Sequence, residues 1–271
     1  MTQALSREQV DFYGENGYLL PFDALTPREA QAMLDDLAFF ETAEGYSAGD
    51  INMKGHLVFR RSYEISRNPA ILDVVEGLIG PNILAFASRF WIKPGSDGSY
   101  VSWHQDSAYF GLDPHELVTV WLALTPSNRA NGCLRMLPGS HRGEAHKHIE
   151  TFNKKNLLAR GQVIEGIDEA GAVDLELKQG QFSCHHERIV HGSEPNSTQA
   201  DRIGLGIFYI PTHVRSTIGR RTACLVRGVD EYGHWDSDPV PQDRIDRTIL
   251  AHTKEAGRRY VDPKYRQEAD A

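Results

Sequence analysis

Histidine and carboxylate residues two positions apart occur four times in the chain, and this spacing suits metal binding on a β-strand. The pairs are His104 with Asp106, His148 with Glu150, His185 with Glu187, and His234 with Asp236. Side chains two residues apart on a strand point to the same face of a sheet, so both can reach one metal ion. Spacing alone gives four candidate sites, and the surrounding sequence must separate them.

The pair His104 and Asp106 is followed, far downstream, by a histidine in a strand-and-turn setting. This histidine is His191, in the segment Ile189-Val190-His191-Gly192-Ser193. Two His and one carboxylate on one face of an Fe(II) ion leave adjacent positions open for a cosubstrate and O2. We therefore predict that His104, Asp106 and His191 bind the metal. His186 is the main alternative to His191 as third ligand.

The other three pairs lack such a partner. The His148 pair falls in a polar, helix-favouring segment, and the His234 pair lies among Gly, Asp and Pro residues that are typical of a solvated loop. His185 lies closer to the predicted site, where it either lines the pocket or packs in the core.

Arg202 follows the predicted third ligand and precedes the apolar segment 203–208. A guanidinium is always charged and can bind a carboxylate with two parallel hydrogen bonds. We predict that Arg202 binds the far carboxylate of a dicarboxylic cosubstrate. The alternative is a surface arginine at the entrance of a strand.

The elements that must position these residues are predicted from caps and periodicity. Ser6 with Gln9, and Thr26-Pro27 with Glu29, are capping boxes that begin two helices, and a third helix runs from Asn68-Pro69 to Gly80-Pro81. After Pro81 short apolar or alternating segments follow, separated by turn residues. The predicted strands are 83–92, 101–109, 117–124, 133–137, 173–177, 181–186 and 203–210.

This pattern predicts one domain that is mainly β with flanking helices, arranged as a sandwich or barrel. We expect a helical N-terminal part over about 1–82, a β core over about 83–212 and a C-terminal extension over about 213–271. The helix-biased segment 141–171 interrupts the core, and we expect it to be a lid or binding loop.

The composition argues against several functional classes. The formal net charge of -8 disfavours binding to a phosphate backbone, so we predict no nucleic-acid partner. No segment is apolar enough to cross a membrane and no signal-peptide pattern is present, so a cytoplasmic location is expected. The three cysteines are widely spaced and are predicted to be buried thiols.

Three ordered motifs resemble those of the phytanoyl-CoA dioxygenase family of Fe(II)/2-oxoglutarate oxygenases. They are Trp103-His104-Gln105-Asp106, the segment 131–142 with Asn131-Gly132-Cys133-Leu134 and Leu137-Pro138-Gly139-Ser140, and His191-Gly192-Ser193-Glu194-Pro195-Asn196 followed by Arg202. The resemblance covers roughly residues 5–212 and is greatest to the bacterial small-molecule branch.

The resemblance implies a double-stranded β-helix, a cupin-like jelly roll, that holds Fe(II) through His104, Asp106 and His191. It further implies that Arg202, Ser193 and Trp121 contact the distal carboxylate of 2-oxoglutarate, with Gln105 beside the pocket. From the residues alone, a core aromatic is the favoured interpretation of Trp121, and Ser193 could equally be a turn residue. O2 would be the second cosubstrate, with ascorbate in support.

The expected reaction is hydroxylation of a small molecule with release of succinate and CO2. Family members that halogenate replace the carboxylate ligand with a small residue, whereas Asp106 is present here. Amino acids, aminophosphonates and natural-product intermediates are candidate substrates. Some of seven arginines could bind an anionic group, whereas most of them are expected to lie at the surface. These are Arg60, Arg61, Arg89, Arg215, Arg220, Arg221 and Arg227. Alternatives are desaturation, epoxidation or cyclisation, a zinc hydrolase, or a non-catalytic cupin-like binding protein. Oligomeric state is not predicted.

Overall fold

The computed structural model describes residues 5–261. Its helices are Arg7–Asn16 (α1), Pro27–Glu44 (α2), Gly55–Val58 (α3), Arg60–Ile65 (α4), Pro69–Ile79 (α5), Ser107–Phe110 (α6) and Leu250–Val261 (α7). Both predicted capping boxes are present, and the side chain of Asn68 caps α5 by accepting a hydrogen bond from the backbone N–H of Ala70 at 2.9 Å. The three helices predicted from the sequence are therefore confirmed, because local capping groups determine where they begin.

The strands are short and follow one another closely along the chain. They are Tyr18–Asp23 (β1), Ile83–Lys93 (β2), Val101–His104 (β3), Leu112–Asp113 (β4), Val118–Ala123 (β5), Leu134–Met136 (β6), Ile149–Glu150 (β7), Gln162–Val163 (β8), Val173–Leu175 (β9), Gln181–His186 (β10), His191–Ser193 (β11), Arg202–Pro211 (β12), Arg215–Ser216 (β13), Thr222–Arg227 (β14) and Asp236–Ser237 (β15).

Two sheets form the predicted double-stranded β-helix, which is confirmed. The large sheet has the order β1-β10-β5-β12-β2-β14-β15, and the small sheet has the order β3-β11-β6-β9. Neighbours in both sheets are antiparallel, except for the pair β14 and β15. Neighbouring strands are far apart in sequence, as expected for a jelly roll that closes a cavity between its sheets.

Strand β5 shows how the large sheet is buried on both faces. All six of its residues are buried. Val120 and Leu122 pack in the core on the helical side, whereas Trp121 and Ala123 pack between the two sheets. Alternation along a strand thus divides β5 between the helix-covered core and the cavity that holds the candidate site.

The predicted limits of the β structure are wrong at both ends. β1 lies within the part predicted to be helical and pairs with β10 at one edge of the large sheet. β14 lies within the predicted C-terminal extension and pairs with β2. Both strands are short and irregular in their pairing, so long-range partners rather than local periodicity determine them.

The helix-biased reading of 141–171 is also wrong. The segment contains β7, β8 and irregular backbone. One 3-10 turn, Ser140–Arg142, overlaps its start, and another, Glu169–Gly171, forms its end. Its polar, helix-favouring composition is overridden by the pairing of β7 with β8 and by contacts with β3, where the backbone N–H of Ile164 donates to the carbonyl of Trp103 at 2.9 Å. The segment therefore packs over one end of the β core.

Candidate metal centre

His104 and His191 face each other across neighbouring strands of the small sheet. They are direct register partners in the pair β3 and β11, and their ring centroids lie 4.1 Å apart. Directly opposite residues of an antiparallel pair have adjacent side chains, which brings the two distant histidines together. The sheet register thus produces the contact that the sequence could only postulate.

Backbone carbonyls hold one nitrogen of each imidazole. His104 Nδ1 lies 2.9 Å from the carbonyl oxygen of Ser102, and His191 Nδ1 lies 3.0 Å from that of Ile189. A carbonyl only accepts hydrogen bonds, so each Nδ1 carries the proton and each Nε2 presents a lone pair. This is the tautomer that a metal-binding histidine needs.

Asp106 does not lie on a strand, contrary to the prediction of a strand over 101–109. β3 ends at His104, and Asp106 has helical backbone angles at the start of α6. Its Oδ1 lies 3.5 Å from Nε2 of His104 and 4.0 Å from Nε2 of His191. A turn, rather than strand alternation, therefore brings the carboxylate to the two imidazoles.

The second carboxylate oxygen of Asp106 is held by the large sheet. Thr119 Oγ1 donates to Oδ2 at 2.8 Å, and His185 Nε2 lies 3.6 Å from the same oxygen. Thr119 and His185 are direct partners between β5 and β10. Burial acts to raise the pKa of Asp106, but the neighbouring imidazoles of His104, His185 and His191 hold it well below its ordinary value. The carboxylate is therefore ionised, with Oδ1 turned toward the two imidazoles.

His185 and His186 lie on opposite faces of β10, and the histidine near the site is His185. Its ring centroid is 4.7 Å from that of His191, and neither of its ring nitrogens has a hydrogen-bond partner in the described part of the chain. His186 instead faces His141, with ring centroids 5.1 Å apart. The idea of His186 as an alternative ligand is thus wrong, because adjacent strand residues point in opposite directions.

The arrangement of ligand atoms fits a metal ion. One atom each from His104, Asp106 and His191 lie within 4.8 Å of one another. Two imidazole nitrogens and one carboxylate oxygen on one side of a point leave its other side open, which is the arrangement that non-haem Fe(II) adopts when it binds a cosubstrate. The lone pairs of both Nε2 atoms and the charge of Asp106 supply the chemistry that Fe(II) requires.

Arg202 lies at the start of β12, deep in the cavity, with 1% of its surface exposed. Its Nε and Nη1 have no hydrogen-bond partner within residues 5–261, and its Nη2 lies 3.5 Å from Ser193 Oγ. The guanidinium carbon is 5.0 Å from the ring centre of Trp121. Burial lowers the pKa of Arg202 to about 10, so it stays charged at neutral pH. A buried cation with unsatisfied donors fits a carboxylate ligand.

Lys93 is a site residue that the sequence reasoning missed. The last residue of β2, it is buried, and its Nζ donates to the hydroxyl and, at 3.0 Å, to the carbonyl oxygen of Ser193. Burial, followed by the charge of Arg202, lowers its pKa to about 6. A lysine at the end of a largely apolar strand was the available signal, because such a residue must find polar partners when it is buried.

The cavity has two halves that meet at the metal centre. The inner half is lined by Trp121, Ser193 and Arg202, and the outer half by Arg89, Gln105 and Gln162 among others. His104, Asp106, Trp91 and Phe208 line both halves. A dicarboxylate in the inner half can reach both the metal and the guanidinium, which leaves the outer half for a second molecule.

Two glycines of β12 make room for the aromatic walls of this cavity. A Cβ at Gly204 would overlap the Trp121 ring, and a Cβ at Gly206 would lie 2.8 Å from Nε1 of Trp91. Both glycines are therefore required by close approach of a neighbouring strand's side chain. The segment 203–208 could be identified as a strand from its apolar residues, but the purpose of its glycines appears only in three dimensions.

Gln105 lies in the wall of the outer half rather than beside Arg202. Its Nε2 donates to the carbonyl oxygen of Arg188 at 2.7 Å, and its Oε1 accepts from the backbone N–H of His146 at 2.9 Å. The backbone N–H of Gln105 donates to Nε2 of His148 at 2.9 Å. Its contacts tie the turn that carries Asp106 to the insertion 141–171, while a role in binding the cosubstrate stays a prediction.

Comparison with known proteins places the chain in a family. The family model for phytanoyl-CoA dioxygenase (PhyH) matches residues 13–204. The chain belongs to the phytanoyl-CoA dioxygenase family. The resemblance inferred from the three motifs is therefore confirmed, and it covers the region that contains all of the predicted ligands.

Individual members and structural relatives agree with this assignment. A probable alpha-ketoglutarate-dependent hypophosphite dioxygenase of Stutzerimonas stutzeri is 32% identical over 156 residues, which are 57% of this chain and 54% of that protein. The chain thus covers about half the length of that member. The apo structure of the non-haem monooxygenase ThoJ superposes with a TM-score of 0.82 at 34% identity, over 97% of this chain and 98% of that one. CytC3 with Fe(II) and alpha-ketoglutarate gives 0.69 at 26% identity, over 91% and 97%.

Away from the candidate metal centre, a second group of possible ligand atoms lies near one edge of the large sheet. His56, Cys224 and Asp238 are buried together, with their ligand atoms within 4.8 Å of one another. Lys54 Nζ donates to Asp238 Oδ2 at 2.7 Å, so an ammonium already neutralises this carboxylate.

All three cysteines are buried free thiols, as predicted. Within residues 5–261, no helix is long and apolar enough to cross a membrane.

Proposed function

We propose that this protein is an Fe(II)- and 2-oxoglutarate-dependent dioxygenase that hydroxylates a small molecule, with release of succinate and CO2. The observation that carries the proposal is one cavity with a two-histidine, one-carboxylate cluster at its centre and a buried, unsatisfied guanidinium at its inner end. A chelating dicarboxylic acid is the ligand that satisfies both groups at once.

The names of the relatives support this proposal. The hypophosphite dioxygenase is described as alpha-ketoglutarate-dependent, ThoJ as a non-haem monooxygenase, and CytC3 was solved with Fe(II) and alpha-ketoglutarate. Two of these names include alpha-ketoglutarate, and only one of the three names a substrate, so the substrate of this chain must be inferred from its own pocket.

In the proposed site, His104, Asp106 and His191 hold the iron, while Arg202 and Ser193 orient the far carboxylate of 2-oxoglutarate. The bound iron supplies oxidative decarboxylation of 2-oxoglutarate by O2 and transfer of an oxygen atom to the substrate. Thr119 keeps Oδ1 of Asp106 turned toward the metal position. The buried walls exclude water, and the position of the substrate in the outer half decides which C–H bond reacts.

The experiment is a screen for substrate-stimulated succinate formation with Fe(II), 2-oxoglutarate, ascorbate and O2. Amino acids, aminophosphonates and short acyl compounds form the panel. We expect His191→Ala to abolish succinate formation. His186→Ala is the matched control, because His186 lies five positions earlier on the opposite face of β10 and should retain activity.

Two results would contradict the proposal. Turnover that survives strict anaerobiosis would select the zinc-hydrolase alternative, because zinc does not activate O2. Absence of both 2-oxoglutarate binding and succinate formation would select a non-catalytic binding protein. The mass of the product separates hydroxylation, which adds one oxygen, from desaturation or cyclisation, which removes two hydrogens. Ascorbate support and a cytoplasmic location stay predictions.

A further inference from the structure

The outer half of the cavity, which we call the outer chamber, is bounded by strands of the core and by the insertion. Residues from the insertion that line it are Leu158, Ala159 and Gln162, and from the core Arg89, Trp91 and Phe208. His104 and Asp106 form its inner end. A molecule in this chamber therefore lies against the metal centre on the side away from Arg202.

Arg89 is held in a fixed position at the chamber wall. It lies on β2, and its guanidinium carbon stacks 4.6 Å from the ring centre of Trp91. Its Nη2 donates to the carbonyl oxygen of Gly49 at 3.4 Å, a long hydrogen bond. The side chain is half-buried. Stacking on Trp91 restricts the guanidinium, so little conformational entropy is lost when a further ligand binds.

The charges of the centre leave Arg89 as the cation that faces a substrate. Fe(II), the Asp106 carboxylate, dianionic 2-oxoglutarate and Arg202 together carry no net charge. Lys93 contacts Ser193 and is not a lining residue of the outer chamber. Among the described lining residues of the chamber, Arg89 is the only Lys or Arg, and Asp106 is the only carboxylate. With the centre loaded, the chamber therefore carries one net positive charge, which is that of Arg89.

A fixed hydrogen-bond acceptor accompanies this charge. Gln162 is 1% exposed, and its Oε1 has no hydrogen-bond partner among the described residues. Its backbone is held by pairing of β8 with β7 and by a hydrogen bond from the hydroxyl of Ser102 to its carbonyl oxygen at 2.5 Å. A buried, unsatisfied amide oxygen costs free energy unless a ligand donates a hydrogen bond to it.

We propose that the substrate is a small organic anion, a carboxylate or phosphonate, whose charged group binds Arg89 and whose hydroxyl or amino group donates to Gln162. This inference rests on the proposed function and deepens it, because it names the substrate class and the two residues that select it. Apolar contacts with Trp91, Leu158 and Phe208 would enclose the carbon chain between these two ends.

The test measures binding by titration calorimetry to protein loaded with Ni(II) and 2-oxoglutarate, so that no turnover occurs. The probes are 3-hydroxybutanoate with its neutral amide, 2-hydroxyethylphosphonate with ethylene glycol, and butanoate. We expect each anion to bind wild-type protein at least about ten-fold more tightly than its neutral counterpart. Arg89→Gln should weaken anion binding by about ten- to a hundred-fold and leave the neutral compounds unchanged.

Two further variants and one control sharpen the result. Arg89→Lys keeps the charge but loses the planar stacking, so we expect an intermediate preference. Gln162→Leu should weaken the binding of 3-hydroxybutanoate but not that of butanoate, because only 3-hydroxybutanoate carries a hydroxyl group that can donate to Gln162. Arg28→Gln is the matched control. Arg28 is an exposed arginine on α2, so this variant should bind all probes as the wild type does. Urea unfolding of each variant verifies that it is folded.

Each outcome either supports or overturns the inference. No preference for anions in the wild type, or a preference that Arg89→Gln retains, would overturn it. Succinate formation in air that neutral compounds stimulate as well as anions do would overturn it while leaving the proposed function intact. Failure of the wild type to bind 2-oxoglutarate at all would overturn both.

Discussion

Replacing Arg202 by methionine should stabilise the ligand-free protein and at the same time abolish tight binding of 2-oxoglutarate. Burial lowers the pKa of Arg202 from its ordinary value to about 10, and a tenfold change in proton affinity corresponds to about 1.4 kcal/mol. The folded protein binds this proton less tightly than the unfolded chain does. The buried charge of Arg202 therefore lowers the free energy of unfolding by roughly 3 kcal/mol at every pH below about 10.

Two contacts oppose this gain. The guanidinium lies 5.0 Å from the Trp121 ring centre, a cation–π contact worth about 1–2 kcal/mol when desolvated. Its hydrogen bond to Ser193 is 3.5 Å long and contributes little. Methionine keeps an apolar chain in the same space. We therefore expect Arg202→Met to raise the free energy of unfolding by about 1–2 kcal/mol, or the melting temperature by a few degrees.

The assay is urea unfolding at pH 7, followed by tryptophan fluorescence, with and without 2-oxoglutarate in the presence of Ni(II). Wild-type protein should gain stability from the cosubstrate, whereas Arg202→Met should gain none. Arg202→Lys is the matched control, because it keeps a buried charge and should not show the gain in ligand-free stability. The reasoning is refuted if Arg202→Met is less stable than the wild type without ligand, or if it retains stabilisation by 2-oxoglutarate.

Three further predictions test the support of the site and the core. Thr119→Val removes the hydrogen bond to Asp106 Oδ2 and should lower the affinity for Fe(II) or Ni(II) by about ten-fold, measured by competition with a chromogenic chelator. Gly204→Ala should displace the Trp121 ring, destabilise the fold by about 1–3 kcal/mol and weaken 2-oxoglutarate binding, measured by unfolding and calorimetry, whereas unchanged stability would mean that the ring can move freely. Burial lowers the pKa of His56 to about 3, so below pH 6.5 the unfolded chain takes up a proton that the folded protein does not. This proton should account for about 2 kcal/mol of the fall in stability between pH 7 and pH 5, and His56→Gln should make the fall smaller by that amount in urea unfolding at the two pH values. Other buried histidines with a lowered pKa, such as His148 and His186, should cause the rest of the fall.

The metal ligands show how much of a site can be predicted from residue types and their order in the sequence. The sequence presents His104, Asp106 and His191 as a candidate set, and the structure brings their ligand atoms together. The structural elements that position these three ligands were only partly as predicted. Cross-strand register positions the two histidines, but a turn after β3 positions Asp106. Strand alternation was the wrong mechanism for the carboxylate, because the strand ends before it.

Helix caps and strand periodicity were determined by the sequence itself, since a capping box or an apolar alternation involves residues only a few positions apart. The helices after Ser6, Thr26 and Asn68 follow from such local signals. The tertiary structure alone decided that β1 and β14 complete the large sheet, that Thr119 donates to one oxygen of Asp106, and that His185 lies next to the same oxygen. It also decided that Lys93 lies behind Ser193. These contacts join strands distant in sequence, and their pairing depends on the free energy of burying the whole core rather than on any local pattern.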